Sequence, residues 1–406
     1  MRIPFSSILI GLILVATVTV PSLGYLAFAT SSMSAGVLLI SGLYIFLYLA
    51  LCSIQRQSPS LGTIAILVAV VLGVIMTQGA ISYSINGMFG FGRFSQSNLL
   101  LIIYLLGAFS FARLAQRVSN LQADFAVKLT FYVLLLSGFA GILRYSPFSA
   151  VARKPAIFFN EPSHFALSFL PFLLYMTVTA SARMKLPLVI LCYPMALLLE
   201  SLSLVIGTTL VVMLGLRLKI QFLFLLPIAA LVFLFVPVNL DHFSMRLDLS
   251  GDIQNLSTMV YLSGWERAYL NFNDTLGLGV GFQQFGIIGS SGEIMEAIVK
   301  LVSVEQNELD GGSVAPKFIG EFGFLGVTML LAYLVYFAKS ARWLHEVSIS
   351  RVAPMDCRRV FFLSCFVTFA IDLFVRGLGY FSSPGFLLIA SLMWRAKRRS
   401  QRQSIR

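Results

Sequence analysis

The sequence predicts an all-α polytopic membrane protein with about twelve transmembrane helices, both termini on the cytoplasmic side, and one large, partly helical exterior loop before the tenth span. Three observations lead there. The 406 residues are 58% hydrophobic and only 11% charged, with a mean hydropathy of +0.88, which excludes an ordinary soluble enzyme. Apolar stretches of roughly the 20 residues a helix needs to cross the hydrocarbon core recur along the chain. Basic residues gather in alternate connections between those stretches, as the positive-inside rule requires.

The expected spans lie near 5–29, 33–52, 61–81, 98–116, 128–143, 164–181, 186–200, 202–217, 220–237, 317–338, 360–376 and 384–396. The first follows Arg2 and ends near Ala27-Phe28-Ala29, which imitates a signal peptide with a cleavage site; its roughly 25 residues are too long for that, so a retained helix is expected. Leu186 to Leu216 reads either as one long helix or as a hairpin turning at Glu200-Ser201-Leu202-Ser203. Charge decides between them. With a hairpin, the cytoplasmic side receives about 20 of the 29 basic residues, and the net charge of +12 divides into about +17 inside and about −5 outside. A single helix would put the basic tail outside. The chain therefore divides into nine spans (1–237), an exterior loop (238–316), three more spans (317–396) and a basic cytoplasmic tail (397–406).

That division removes nucleic acid as an explanation of the positive charge. Cys52, Cys192, Cys357 and Cys365 fall in spans or on the reducing side, so no disulfide is expected. Three histidines and four cysteines without metal-ligand spacing offer no pattern for a metal or haem site, and no cofactor is expected. Phe89-Gly90-Phe91-Gly92-Arg93 is glycine-rich but lacks the strand–turn–helix setting of a dinucleotide loop.

The exterior loop carries ten acidic residues and three basic ones, Arg246, Arg267 and Lys300. Tyr261, Trp265, Tyr269 and Phe272 recur within it at the spacing of one helix face, suited to packing on the membrane domain or lying in the interface, with sugar stacking on Trp265 the functional alternative. A second exterior segment, Arg144 to His164, ends in Glu161-Pro162-Ser163. Proline in a first turn and a carboxylate beside it suit a helix start, so a structural cap explains Glu161 as well as catalysis does.

Charges inside a bilayer cost roughly 2.5–3.5 kcal/mol at a helix centre, so each needs a partner or a task. Lys317 with Glu321 and Asp372 with Arg376 are spaced i, i+4 and could neutralise each other. Alternatively, a polar exterior cavity would gather Arg376, Glu321, Glu200 and Glu161. Exterior arginines Arg153, Arg246, Arg267 and Arg376 suit a diphosphate, because a guanidinium offers paired donors and stays charged when partly desolvated; Arg93 and Arg144 are weaker candidates.

Three segments carry a family resemblance. Arg153 with Phe158-Phe159-Asn160-Glu161-Pro162-Ser163-His164, then Gly264-Trp265-Glu266-Arg267-Ala268 leading to Gly277-Leu278-Gly279-Val280-Gly281-Phe282-Gln283-Gln284-Phe285-Gly286, and Asp310-Gly311-Gly312-Ser313 with Gly320-Glu321-Phe322-Gly323 stand in the order of the corresponding motifs of bacterial O-antigen and polysaccharide polymerases. The chain resembles that family, part of the O-antigen ligase and polymerase superfamily of GT-C-type membrane glycosyltransferases. Ser201-Leu202-Ser203 followed by Gly207 is similar to a further family feature, a serine-containing turn between two helices. Two departures stand out. Many relatives place an arginine about four residues before the loop tryptophan, where this chain has Tyr261. The ligases carry a loop histidine before the tenth span, where this chain has Asn307, Glu308 and Asp310, which favours polymerase over ligase.

The resemblance implies a metal-independent enzyme of the bacterial inner membrane, with its active site facing the periplasm. It would transfer a polymer from undecaprenyl diphosphate onto a new lipid-linked repeat unit, inverting the linkage. The partners implied are the undecaprenyl-diphosphate-linked donor and acceptor, the lipid bilayer, a chain-length regulator and a flippase. On this reading Arg153, Arg267 and Arg376 hold the diphosphate, with Arg246 in reserve. Glu161 or Asp310 is the base, Glu321 a structural alternative, Trp265 and Tyr261 lie near the sugar, and His164 is a cap or packing residue. The alternatives are an O-antigen ligase, which transfers finished polymer to lipid A core, and a lipid-linked oligosaccharide flippase, whose broken helices the short pair at 186–217 would imitate.

Overall fold

A computed structural model describes residues 4–27, 33–59, 62–145, 156–217, 255–350 and 356–403, and among them it contains thirteen helices and no strand. In chain order these are α1 (Phe5–Ala27), α2 (Ser34–Ile54), α3 (Gly62–Asn86), α4 (Phe91–Arg117), α5 (Asn120–Ile142), α6 (Pro162–Thr179), α7 (Ala182–Leu198), α8 (Leu202–Gly215), α9 (Leu256–Asp274), α10 (Glu293–Val302), α11 (Val314–Ser350), α12 (Cys357–Phe374) and α13 (Ser383–Gln403). Six of them, α1 to α5 and α11, are long and apolar enough to cross a membrane, as expected of a membrane-embedded protein. Helices also stand where the sequence expects the spans from 164 to 217 and after 360. The expected span at 220–237 lies outside the described residues.

The helix at the centre is α6. Every residue from His164 to Val178 is buried, and α5, α8 and α12 pack around it. A helix apolar on all sides has no face to give to water or lipid, so its place at the centre follows from its composition. At the other extreme, α3 leaves Ile66, Val70, Val74 and Met76 exposed, an apolar surface suited to lipid. Close helix approaches use small residues, as membrane packing favours. A Cβ on Gly107 of α4 would lie 2.5 Å from Cβ of Ser41 on α2, and one on Gly36 of α2 would lie 2.5 Å from Cα of Pro21 on α1.

Between α7 and α8 the chain turns at Glu200, whose φ is +52°. The two helices then pack side by side, with Tyr193 and Thr209 hydroxyls 2.9 Å apart and Val189, Tyr193, Val212 and Leu216 clustered. The 186–216 stretch is thus broken into two helices. Several helices outrun their expected spans, because hydropathy detects only the apolar part. The start of α5 is set by a capping box between Ser119 and Gln122, ahead of the apolar run, and α11 continues past 338 through Arg342 and Glu346, which pair at 2.9 Å in solvent.

One helix is interrupted. Gly323 in α11 has φ +56° and ψ −131°, so the ladder breaks there. The glycine-rich segment 277–281 closes the gap: Phe324 N–H donates to Gly277 C=O (2.8 Å), Val280 N–H to Gly320 C=O (2.9 Å) and Gly281 N–H to Glu321 C=O (2.9 Å). Backbone this close leaves no room for a side chain. A Cβ on Gly323 would sit 1.9 Å from the Gly277 oxygen, and one on Gly279 would sit 2.4 Å from the Glu321 oxygen.

Candidate functional site

A cavity of about 680 Å³ opens where the first turns of α6, α8 and α9 meet the end of α12. Glu161, Pro162 and Ser163 line it from α6, Glu200 to Ser203 from α8, Leu256 to Thr258 and Tyr261 from α9, and Phe374 to Arg376 from α12. Helix starts carry unsatisfied N–H groups and partial positive charge, so three first turns around one space favour an anion within it. Two are already partly satisfied. Ser201 Oγ accepts from Leu204 N–H (3.3 Å), and Asn255 Oδ1 accepts from the N–H groups of Ser257 (3.0 Å) and Thr258 (3.4 Å). No side chain caps α6.

Glu161 holds the N-cap position of α6 with extended backbone, yet its carboxylate does not cap. Oε2 instead accepts from the Ser163 hydroxyl (3.1 Å) and from Arg376 Nη2 (3.4 Å), and lies 3.9 Å from His164 Nε2. The capping alternative for Glu161 therefore fails in its side chain. Burial works to raise the Glu161 pKa, but His164, Arg376 and the Ser163 hydroxyl together outweigh it and hold the carboxyl below its ordinary range. The expected pairing of Asp372 with Arg376 also fails: Arg376 turns to Glu161, while Asp372 Oδ1 accepts from Leu378 N–H at 2.9 Å.

Lys317 and Glu321 behave similarly. Lys317, buried, ion-pairs with Asp310 at 2.7 Å and lies 4.9 Å from the Tyr380 ring centre, instead of pairing with Glu321. Burial raises Asp310, but Lys317 and, further off, Arg93 and Arg376 more than offset it, so its carboxyl too lies below the ordinary range. Glu321 is fully buried beside the helix break, where it accepts from Phe285 N–H at 3.3 Å. Neither Asp310 nor Glu321 lines the cavity.

Arg267 is also placed elsewhere. Only 4% exposed, it pairs with Glu308 (3.1 Å), donates to Ser290 C=O (3.3 Å) and stacks 5.9 Å from the Phe285 ring. The loop aromatics divide: Tyr261 donates its hydroxyl to Phe374 C=O (3.0 Å) at the cavity wall, Trp265 packs among α11 and α12 residues, Phe272 meets Phe324 edge-on at 4.8 Å, and Tyr269 stays exposed. The buried face of α9 is instead Ser263, Gly264, Arg267, Ala268 and Asn271, since a Cβ on Gly264 would lie 2.0 Å from the Gly311 oxygen. Arg153 and Arg246 lie outside the described residues.

Of the four residues the sequence grouped, Glu161, Glu200 and Arg376 line the cavity and Glu321 does not; Tyr261, placed near the sugar by the resemblance, and the α9 start, which sequence reasoning missed, also line it. Asn255 followed by Ser257 and Thr258 is a helix-start pattern that would have marked that start. Arg93, in the discounted glycine-rich segment, donates to Gln283 Oε1 (2.9 Å), and Gly90 N–H donates to Gln284 Oε1 (2.8 Å), so that segment supports the 277–286 turn. Among the described residues no group of three His, Cys, Asp or Glu side chains could hold a metal ion, and no disulfide joins the four cysteines. The chain matches no family model, and no curated protein or solved structure is significantly similar to it.

Proposed function

We propose that this protein is a polysaccharide polymerase of the O-antigen type, joining undecaprenyl-diphosphate-linked repeat units by inverting glycosyl transfer on the periplasmic side of the inner membrane. The observation that supports it best is the meeting of Arg376, the uncapped start of α6 and Glu161 in one cavity. Cleaving a sugar–diphosphate bond needs positive charge where the leaving group gathers negative charge, and a base beside the attacking hydroxyl. Arg376 uses only Nη2 on Glu161, so the rest of its fork can meet a phosphate together with the first turn of α6.

In the proposed step an acceptor hydroxyl loses its proton to the Glu161 carboxylate while its oxygen bonds to the donor's anomeric carbon. The bond from that carbon to the diphosphate oxygen breaks, the electron pair departs with undecaprenyl diphosphate, and the configuration inverts. Glu161, ionised at neutral pH, is in the protonation state this step requires. Asp310, engaged by Lys317, and Arg267, engaged by Glu308, serve to hold the loop rather than to touch substrate. The charge division of about +17 against about −5 supports the orientation.

The test is to give the purified full chain lipid-linked repeat units without nucleotide sugar and to resolve the products by size. A ladder is expected from the unaltered protein and none from folded Glu161→Gln. A folded protein that leaves single repeats unjoined, or that moves them across a vesicle membrane without joining them, overturns the proposal.

A further inference from the structure

A second cavity, of about 420 Å³, lies at the other end of α12, between α1, α2, α4, α5 and α12. Its wall is aliphatic and aromatic apart from one end. Tyr44 reaches it too, but its hydroxyl is already 2.7 Å from Thr17 Oγ1. The remaining polar lining is Arg117, Gln122 and Arg358, all at the helix ends where the apolar spans give way to charge. The volume falls within the roughly 300–1,000 Å³ of ligand pockets. Left empty, an apolar space of this size forgoes the dispersion contacts its walls would otherwise make.

The two arginines are not neutralised alike. Arg358 donates through Nε to Asp356 (3.1 Å) and through Nη1 to the Gln116 (3.1 Å) and Val118 (3.0 Å) carbonyls, which fixes its plane and leaves Nη2 without a partner among the described residues. Arg117 is exposed and held by neutral groups, the side chains of Gln55 (2.7 Å) and Gln57 (3.0 Å), the Cys52 sulfur (3.9 Å) and the Tyr48 ring (5.9 Å). Among the described residues no carboxylate pairs with it. The nearby acids are committed, Asp356 to Arg358 and Asp124 to Lys128 at 2.6 Å, and Arg113, over the Phe109 ring, adds a further cation one turn before Arg117.

We propose that this cavity binds an anionic phospholipid, one acyl chain filling the aliphatic space and the phosphate meeting Arg117 and Nη2 of Arg358. The chemistry selects that occupant. Only a molecule with a long apolar chain and an anion at its end satisfies both parts, and a membrane supplies it at high local concentration. A zwitterionic lipid fills the space but brings its own cation to a rim that already has an excess, and a soluble phosphate leaves the apolar wall bare. The site is separate from the cavity around Glu161 and does not depend on what happens there.

The test uses the full chain in detergent and counts bound lipid by native mass spectrometry, with dioleoylphosphatidylglycerol, dioleoylphosphatidylcholine and glycerol 3-phosphate as the three probes. Phosphatidylglycerol is expected to bind at least about fivefold more tightly than phosphatidylcholine. Arg117→Gln, which removes the exposed cation and keeps a hydrogen-bonding side chain, should remove most of that preference, and Ala115→Phe, which fills the cavity, should weaken both lipids. Equal binding of the two lipids, a preference untouched by Arg117→Gln, or displacement of phosphatidylglycerol by equimolar glycerol 3-phosphate would overturn the proposal.

Discussion

Glu161 and Glu321 are both carboxylates near the start of a helix that enters the bundle, and the protein treats them in opposite ways. Glu161 is half-exposed, stands at an open cavity, and has the His164 ring, the Arg376 guanidinium and the Ser163 hydroxyl around its carboxylate. Glu321 has no exposed surface and sits where α11 is broken and laced to the 277–281 turn by backbone hydrogen bonds. Interrupting a helix inside a bundle frees backbone groups that must find partners, so the backbone on either side of Gly323 is committed to the 277–281 turn. A reacting site needs the reverse, groups whose partners can be exchanged for a substrate. The comparison separates charge that holds the fold from charge that remains available.

The harshest way to break that comparison is at the lacing. Gly323→Ala places a Cβ 1.9 Å from the Gly277 oxygen at a backbone angle that only glycine takes easily, so a loss of about 4 kcal/mol or more is expected. Thermal unfolding and yield in detergent would show it; a normally stable protein would mean that the lacing is dispensable. Arg376→Ala should do the opposite, leaving folding nearly unchanged and lowering the rate of the proposed polymerisation by about 10²–10³-fold, or about 3–4 kcal/mol of barrier.

Acid should separate the regions more gently. Glu161 is held below its ordinary value of 4.5, so a rate that needs its ionised form should stay level as pH falls to about 5 and decline only as the carboxyl protonates. A rate halved near pH 6.5 would assign the base elsewhere. Ser82→Ala removes a hydroxyl that donates to Val280 C=O beside the turn, and about 1 kcal/mol of stability should go with it. Tyr269→Ala, on the exposed side of α9, should change stability by less than about 0.5 kcal/mol; a large loss of polymer length there would reveal a sugar contact outside the cavity.

Much of this was legible before folding. Apolar length announced the six long apolar helices, and the turn at Glu200 followed from the charge that a single helix would misplace. The grouping of Glu161, Glu200 and Arg376 followed from placing each at the same end of its helix; Glu321, grouped with them on the same ground, lies away from the cavity. What could not be read were partners. Lys317 and Arg376 each have a carboxylate one helical turn away in sequence and use another, because the turn that leads into α11 brings Asp310 to Lys317 and the packing of α6 against α12 brings Glu161 to Arg376. Arg267 reads as an exterior cation and is a buried strut, since only the fold brings Glu308 and Phe285 to it.

Composition alone settles that the chain belongs in a membrane, because about 20 apolar residues in a row have few other places to go. Which polar residues remain open to a ligand is settled by contacts between distant segments, 277–281 with α11, α6 with α8, and α9 with α12. Whether a charge is locked or available depends on distances of a few ångströms between groups that the chain order keeps far apart, and those distances exist only after packing.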